Sequence, residues 1–397
     1  MKTVPCPRPS TSWIHIRFAL GGLVLLCFSG SGSAFQFQIS SSRQATTRSR
    51  SYKSLHPSIQ SSSTVYKRRP IRRDNRQIHP ISTTSTTTTT SSSQLHLTPP
   101  TAPQGDLLRT ALGAILAAKV SWSGLTKKQS LRVSGAMAAF GVATLSLACS
   151  IRSGATLLFF YASSSKLTRM GSARKQTLEE GYKVGGKRGA SQVLACSLIG
   201  VMAAMARRIW VGADGPLELL LPEGGSLLGN QLTLAFVAFF ACCAGDTWAS
   251  ELGVLSKTNP RLVIKPWKQV APGTNGGVST VGLLASAAGG LAMGLCHGLL
   301  LPLQFTSWKQ RLQEIWMLSI VGLLGGLGGS LLDSVLGATI QITHYDPVEK
   351  MILKKPKEGS IKLGVSLLSN EMVNVVSTAA TALLVFVFAE PLLTFFC

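Results

Sequence analysis

The sequence predicts an all-α protein, a polytopic integral membrane helix bundle that follows a disordered N-terminal targeting region. Three observations predict this fold class. The chain of 397 residues is 45% hydrophobic and only 14% charged. After about residue 100, apolar runs of a length suited to crossing a bilayer recur along it. The first 100 residues instead combine 13 Lys and Arg with a single acid, Asp74, and include a long Ser/Thr run.

Residues 1–34 have the features of a secretory signal peptide. Two arginines precede an apolar core from Phe18 to Phe28, and small residues suited to cleavage follow at 32–34. Residues 35–100 have the composition of a disordered transit peptide, rich in Ser, Thr and Arg. Together they resemble the two-part plastid-targeting leaders of algae with secondary plastids, which indicates a plastid (chloroplast) membrane. The alternative is an ordinary signal peptide followed by a disordered tail.

Residues 101–397 form the predicted membrane domain, with six to eight transmembrane helices because the first three candidate spans are short or polar. The connections after the first, third, fifth and seventh spans are basic, whereas the loop at 208–230 contains Asp214, Glu218 and Glu223. With eight spans all four basic loops share one side, which the positive-inside rule assigns to the stroma. The candidate spans are Leu107–Trp122, Leu131–Cys149, Gly154–Ser165, Ser191–Arg207, Gln231–Leu252, Val278–Leu301, Ile315–Ile342 and Gly364–Phe388.

The same topology brings polar residues of four spans to the basic side. Asp246 lies near the end of the fifth span, a glycine-rich loop opens the sixth, Asp333 comes late in the seventh and Asn370 starts the eighth. Because an acid within a membrane segment is costly, such residues usually face a cavity or a partner. The sequence therefore predicts one polar site at this surface.

The acids of this site are candidate catalytic residues. Asp246 and Asp333 are the predicted ligands of Mg²⁺, an ion that prefers hard oxygen ligands and completes its shell with phosphates. Glu251 is predicted to be a second ligand or a base, and Ser250 shares a helix face with Asp246. The alternative for Asp246 and Glu251 is a structural ion pair with a loop lysine. The glycines at 325–329, just before Asp333, are predicted to allow close helix packing.

Small, polar and basic residues around the acids are predicted to bind phosphate and nucleotide. The glycine loop can expose several backbone N–H groups at a helix start, where positive φ and close phosphate approach are possible. Basic side chains can neutralise phosphate charge, and paired asparagines can bond phosphate or ribose. The alternatives are a turn without ligand, topology-setting charge and hydrogen bonds between helices. The predicted residues are Lys257, Arg261, Gly273, Thr274, Asn275, Gly276, Gly277, Asn370 and Asn374, together with Ser250.

Six motifs carry a family resemblance, namely Ser163–Thr168, Gln192–Ala195, Gly245–Glu251, Pro272–Gly277, Leu331–Ala338 and Leu368–Asn370. They are similar to the integral membrane family that includes transmembrane protein nineteen and plant phytyl-phosphate kinase. The resemblance covers about Leu107 to the C-terminus, although Cys196 stands where many members carry Asn. The first motif adds Lys166 to the predicted site. The pattern from Gly245 to Gly253 also resembles the nucleotide-binding segment of CTP-dependent dolichol and phytol kinases.

The resemblance implies a transferase that moves a phosphoryl group from CTP or another NTP to phytyl phosphate. The product would be phytyl diphosphate, for tocopherol synthesis and phytol salvage. The implied partners are an isoprenoid monophosphate, a nucleotide and the lipid bilayer, with no nucleic acid. The predicted residues agree, since phosphoryl transfer needs mainly metal, cations and positioning. The alternatives are another CTP-dependent lipid or polyprenol kinase, a cytidylyltransferase, or a membrane transporter with intramembrane acids.

Overall fold

The computed structural model describes residues 103–212, 214–217, 227–301 and 307–396. The predicted signal and transit peptides at 1–34 and 35–100 lie outside the described residues, as do Glu218 and Glu223. The described chain is mainly helical, and two small antiparallel sheets lie in the connections between helices.

The helices overlap the predicted spans, but not without differences. A short helix, Ser172–Leu178, lies in the connection after the third span, and the helix Trp308–Ile340 begins seven residues before the predicted Ile315. The fourth predicted span, Ser191–Arg207, is divided into two helices, because the chain leaves the helical path at Cys196 and Ser197. The helices are α1 (Pro103–Leu125), α2 (Val133–Cys149), α3 (Ile151–Arg169), α4 (Ser172–Leu178), α5 (Ala190–Ala195), α6 (Leu198–Trp210), α7 (Leu227–Gly253), α8 (Thr280–Leu299), α9 (Trp308–Ile340), α10 (Asn370–Val387) and α11 (Ala389–Phe396).

Four of the described helices are long and apolar enough to cross a membrane, namely α7, α8, α9 and α10. Helix α2 is apolar but shorter, with 17 residues. The polytopic helical membrane fold is therefore confirmed. The number of six to eight crossings stays a prediction, because α1 and α3 are more polar than these four helices and the divided α5–α6 segment consists of two shorter helices.

Helix α7 lies at the centre of the bundle. Every residue from Gly229 to Gly245 is buried, including Phe236, Phe239 and Phe240. A helix that is apolar on all sides is covered on all sides, and α7 packs against α3, α6, α8, α9 and α10. Asp246 is the first charged residue after this buried run, so the central helix places an acid at the edge of the buried core.

Glycines bring α7, α8 and α9 unusually close together. A Cβ added at Gly245 would lie 2.5 Å from the Gly326 carbonyl oxygen, and one added at Gly326 would lie 2.6 Å from Gly290 Cα. A Cβ at Gly329 would lie 2.7 Å from Cys242 Cβ. The predicted role of the glycines at 325–329 in close packing is thus confirmed for two of them.

The four basic connections meet at one end of the bundle, which we call the basic end. Hydrogen bonds join each of them to another, so the prediction that they share one side is confirmed. The bonds, from donor to acceptor, are Arg188 N–H to Ser130 O at 2.9 Å, Arg174 Nη1 to Leu255 O at 2.9 Å, Glu180 N–H to Ile352 O at 2.9 Å and Asn275 Nδ2 to Ile342 O at 3.2 Å.

Both sheets belong to the basic end and were not predicted. The first, in the order β2-β1-β3, consists of β1 (Arg261–Leu262), β2 (Lys265–Gln269) and β3 (Gly277–Val278). The second, in the order β5-β4-β6, consists of β4 (Thr343–Asp346), β5 (Met351–Leu353) and β6 (Ile361–Leu363). They give the α7–α8 and α9–α10 connections defined shapes above the helix ends.

Candidate active site

A cavity of about 330 Å³ lies at the basic end, and residues from α7, α9, α10 and the glycine loop line it. All but three of the predicted site residues are among them. The structure therefore brings together residues that are up to 128 positions apart, from Asp246 to Asn374. The predicted residues that line the cavity are Asp246, Ser250, Glu251, Gly273, Thr274, Asn275, Gly276, Gly277, Asp333, Asn370 and Asn374.

Asp246 has no charge partner in the part of the chain that the structure describes. No hydrogen bond or ion pair to its carboxylate is found among these residues, and its electrostatic neighbours are Asp333 and Cys196. An acid at the end of a buried helix, beside a second acid, is unfavourable without compensation. A cation that binds in the cavity would supply this compensation.

Asp333 is held in place by α10. Ser377 Oγ donates a hydrogen bond of 2.8 Å to Asp333 Oδ2. With its amide oriented to donate, Asn374 lies 3.2 Å from the same oxygen and 3.2 Å from the carbonyl oxygen of Asn370. One carboxylate oxygen of Asp333 is thus fixed by two donors. Of the predicted asparagine pair, Asn374 therefore binds an acid of the protein, whereas Asn370 contributes its backbone carbonyl oxygen as an acceptor for Asn374.

The two acids are suited to Mg²⁺, which water and phosphate can help to coordinate, and less suited to a metal ion that needs three or more protein ligands. No group of three or more His, Cys, Asp or Glu with metal-binding geometry is found among the described residues. Mg²⁺ commonly takes one or two carboxylates and fills its octahedral shell with water and substrate phosphates. Asp246 and Asp333, on one cavity and without a basic partner, match that donor set.

Glu251 forms a structural ion pair with a loop lysine, which was the alternative prediction for this residue. Lys175 Nζ lies 2.6 Å from Glu251 Oε2, and Thr168 Oγ1 donates a bond of 2.6 Å to Oε1. The Lys175 side chain is 4% exposed, so the pair is well shielded from solvent. Glu251 lines the cavity, but with both of its oxygens engaged it is better placed to hold its neighbours than to bind a metal.

Tyr182 completes this network on the loop side. Its hydroxyl donates a bond of 2.5 Å to the carbonyl oxygen of Thr168. Burial, reinforced by the charges of Glu251 and Glu179, raises the pKa of Tyr182 to about 12. The phenol therefore stays protonated and remains a donor near neutral pH.

Arg188 is the basic residue that lines the described cavity, and the sequence reasoning missed it. Its Nη1 donates to Ser165 Oγ at 3.2 Å and its Nη2 to Thr168 Oγ1 at 2.9 Å. Its backbone is fixed too, since its carbonyl oxygen accepts a bond of 2.9 Å from Arg132 N–H. The Gly-Gly-Lys-Arg-Gly sequence at 185–189 was the available signal, because glycines beside a cation allow close approach to a phosphate.

The three predicted basic residues lie elsewhere. Lys166, Lys257 and Arg261 are exposed and do not line the cavity. Arg261 belongs to β1, where its Nη1 bonds to the Pro266 carbonyl oxygen at 2.9 Å. Their predicted role in phosphate binding is not supported by these positions, because the strands and the helix end carry them away from the acids.

The glycine loop differs in part from its predicted form. Gly273 and Gly276 have the expected positive φ, 88° and 73°. However, the N–H groups of Thr274, Asn275 and Gly277 already bond within the protein, to Ala271 O, Thr343 Oγ1 and Thr274 O. Three of the N–H groups expected to cradle phosphate are therefore engaged.

The loop also does not open a helix directly. Strand β3 follows it, and α8 begins only at Thr280, with Ser279 as its N-cap. Close packing gives the glycines another purpose, since a Cβ at Gly276 would lie 2.7 Å from the Ser334 carbonyl oxygen. The loop therefore rests on the turn of α9 that carries Asp333, and it forms one wall of the cavity.

Comparison with known proteins identifies the family. The model of the family described as integral membrane protein DUF92 matches residues 107–382. The chain belongs to the DUF92 family of integral membrane proteins. The matched stretch contains every predicted site residue together with Arg188, so the candidate site is built from the part of the chain that defines DUF92 membership. No solved structure matches the chain.

Two relatives illustrate the range of this family. "Protein PGR" of Arabidopsis thaliana is 38% identical over 287 residues, which are 72% of this chain and 96% of the relative. An uncharacterized membrane protein of Synechocystis sp. is 31% identical over 190 residues, which are 47% of this chain and 61% of the relative. The predicted membership of an integral membrane family is confirmed. The names of these relatives state no reaction.

Proposed function

We propose that the protein is a phosphotransferase that carries the terminal phosphoryl group of CTP or another NTP to an isoprenoid monophosphate. The leading acceptor is phytyl phosphate, which would give phytyl diphosphate for tocopherol synthesis and phytol salvage. One observation carries the proposal: Asp246 and Asp333, without a basic partner, share a cavity with Arg188 at the basic end of a membrane bundle. The leader further favours a plastid membrane, with this end in the stroma.

Phosphoryl transfer requires little of the protein beyond binding the nucleotide and the acceptor and aligning them. An acceptor phosphate oxygen forms a bond to the γ-phosphorus while the bond from that phosphorus to the β–γ bridging oxygen breaks. The nucleoside diphosphate leaves with the bonding electrons. Mg²⁺ held by Asp246 and Asp333 would offset the negative charge of the nucleotide phosphates. Because the acceptor oxygen is already anionic, no general base is required, and this agrees with the engagement of Glu251 by Lys175.

Arg188 is suited to the acceptor phosphate. A guanidinium can bind a phosphate through two parallel hydrogen bonds, which orients it as well as neutralising it. The bonds from Arg188 to Ser165 and Thr168 fix the guanidinium before any ligand arrives. Glu251 and Lys175 support the same Thr168, so their network is a positioning device for the cation.

The test is conversion of phytyl phosphate by membranes that contain the full chain. We expect phytyl diphosphate to form with CTP or another NTP, and to disappear with EDTA and return with Mg²⁺. Asp246→Asn should abolish the product while the purified protein keeps its thermal unfolding temperature. If folded wild type makes no diphosphate from any of the four common NTPs, the proposal fails.

Two other functions can be separated by product and by flux. A cytidylyltransferase would transfer label from the α-phosphate, whereas the proposed kinase transfers it only from the γ-phosphate. A transporter is favoured by one observation, the division of a helix at Cys196 and Ser197 beside the cavity. It predicts substrate flux across liposomes without nucleotide turnover.

A further inference from the structure

The cavity of the candidate active site has a second, apolar part, which we call the apolar arm. It lies among α1, α2 and α3, away from the acids on α7 and α9. Apart from the hydroxyl of Ser121 on α1, its lining side chains are hydrocarbon, and none of them is charged. The hydrocarbon side chains are Val120, Ala139, Val142, Ala143, Leu157 and Phe160.

The order of residues along α3 shows how the two parts of the cavity join. Leu157 comes first, Phe160 and Tyr161 follow about one turn later, and Ser164 lies about two turns after Leu157, nearer the basic end. The Tyr161 hydroxyl lies 2.7 Å from Ser130 Oγ, so a polar contact marks the boundary. The lining therefore changes from hydrocarbon to hydroxyl to charge as α3 approaches the basic end.

The order along α2 gives the depth of the arm. Helix α2 begins at the basic end with Val133, and Ala139 and Ala143 follow by 6 and 10 residues. At 1.5 Å per residue they lie roughly 9 and 15 Å along the helix axis. The hydrocarbon core of a bilayer is about 30 Å thick, so the arm extends roughly to its middle.

We infer that the apolar arm binds the hydrocarbon chain of an anionic isoprenoid phosphate whose headgroup lies beside Arg188. This inference rests on the proposed function and adds to it that the chain enters the protein instead of staying in the bilayer lipid. One connected cavity with a hydrocarbon end and a charged end matches an amphiphile of that kind. A ligand with a charged head and no chain would leave the hydrocarbon end without a partner.

If the protein encloses the hydrocarbon chain of the ligand, the depth of the arm limits how much of that chain can be bound. The arm has a fixed depth, so affinity should rise with chain length until the arm is full and then level off. A chain in free lipid would show no such limit. Ala139 and Ala143 are small residues in the deep part of the arm, and their size sets how much chain fits.

The experiment measures binding without nucleotide, so it does not depend on the proposed kinase activity. Full-length protein in nanodiscs is photolabelled with geranylgeranyl monophosphate that bears a diazirine at the end of its chain. Unlabelled prenyl monophosphates with 5, 10, 15 and 20 carbons compete. We expect labels on α2 and α3 residues of the arm, and competition that strengthens with added isoprene units until the arm is full and then levels off.

Ala139→Phe fills the arm, and Ala118→Phe is its matched control. Ala118 is exposed on α1 and does not line the cavity. We expect Ala139→Phe to weaken competition by the 20-carbon phosphate at least tenfold and to leave the 5-carbon phosphate unchanged. Ala118→Phe should match wild type. Labels confined to lipid, equal competition by all chain lengths in wild type, or an equal loss for all lengths in Ala139→Phe would overturn the inference.

Failure of the two proposals is distinguishable. Chain-dependent labelling without diphosphate formation would keep the arm and remove the kinase, whereas diphosphate formation with labels only on lipid would do the reverse. Should Ala139→Phe not fold, the label positions and the chain-length series in wild type decide alone.

Discussion

Two clusters of buried charge, one at each end of the bundle, differ in whether the protein supplies their partners. At the end opposite to the basic end, Arg152 of α3 and Glu314 of α9 form an ion pair of 2.7 Å, and both side chains are at most 2% exposed. Arg152 Nε also donates to the His297 carbonyl oxygen at 3.0 Å, and Leu217 N–H donates to Glu314 Oε2 at 3.1 Å. Each buried charge there has partners within the protein.

At the basic end, Asp246 and Asp333 have each other as electrostatic neighbours and no basic partner among the described residues. The contrast separates structure from function. A buried ion pair is complete without a ligand, and breaking it is strongly destabilising. On the proposed function the two facing acids bind a cation, so changing them should affect activity and hardly affect folding.

The largest expected effect is that of Asp246→Asn on turnover. Loss of a metal ligand should reduce phosphoryl transfer by about 10³-fold or more, since Lewis-acid stabilisation is worth several kcal/mol. The unfolding temperature should stay the same or rise, because one of two like charges is removed. Turnover with phytyl phosphate and thermal unfolding of the purified protein measure both. A lower unfolding temperature together with retained turnover would show that Asp246 has a structural role and not a functional one.

Arg152→Met should produce the opposite pattern. It leaves Glu314 buried and unpaired, which costs about 3 to 5 kcal/mol of folding free energy. The double variant Arg152→Met with Glu314→Gln removes the orphaned charge and should recover much of that loss. Chemical unfolding in detergent measures the three proteins. Equal stability of Arg152→Met and wild type would show that this cluster does not hold α3 to α9.

Much of the fold could be predicted because membrane segments are specified by local sequence. Length and apolarity place α7 to α10, and loop charge sorts the connections to two ends. The convergence of Asp246 and Asp333 follows from that topology alone. These inferences need no knowledge of side-chain contacts.

The parts that failed depend on contacts between distant segments. Arg188, and not Lys257 or Arg261, lines the cavity because Ser130, Arg132 and Thr168 hold it there. All basic loops look alike in charge, and the glycines that flank Lys187 and Arg188 are a local feature that sets this pair apart. Its place at the cavity nevertheless depends on these contacts with distant segments. The Asn275 N–H is likewise taken by Thr343 Oγ1, 68 residues later.

Arg188→Gln therefore tests whether the cation that lines the cavity, and not one of those predicted from the sequence, binds the acceptor phosphate. Loss of charge-assisted hydrogen bonds worth about 1.5–3 kcal/mol should weaken acceptor binding by about 10- to 100-fold. Arg188→Lys should recover only part, since lysine keeps the charge but not the planar fork. Kinetics should show the effect mainly in KM for the lipid phosphate. Lys268→Gln, at an exposed position of β2, is the matched control. A greater loss in Lys257→Gln than in Arg188→Gln would favour the original sequence prediction.

The smallest expected effect concerns the second sheet, which lies at the basic end but outside the cavity lining. Asp346 accepts hydrogen bonds from the N–H groups of Glu349 and Val348, at 3.1 and 2.9 Å. These bonds, with the Lys357 ammonium nearby, hold the pKa of Asp346 below its usual range. A lowered folded pKa means that the contribution is complete above the unfolded pKa of about 3.9 and is lost as pH falls through the folded value.

Asp346→Asn should therefore loosen the β4–β5 turn at pH 7 and little at a pH below the folded pKa, where the wild-type carboxyl is itself protonated. Amide hydrogen exchange of residues 346–353 measures this, with Glu349→Gln as a control that keeps the Asp346 bonds. Turnover should not change by more than about twofold, because the turn touches neither the acids nor Arg188. A loss of turnover as large as that of Arg188→Gln would mean that the sheet belongs to the site, and that the basic end cannot be divided into a charged cavity and a scaffold above it.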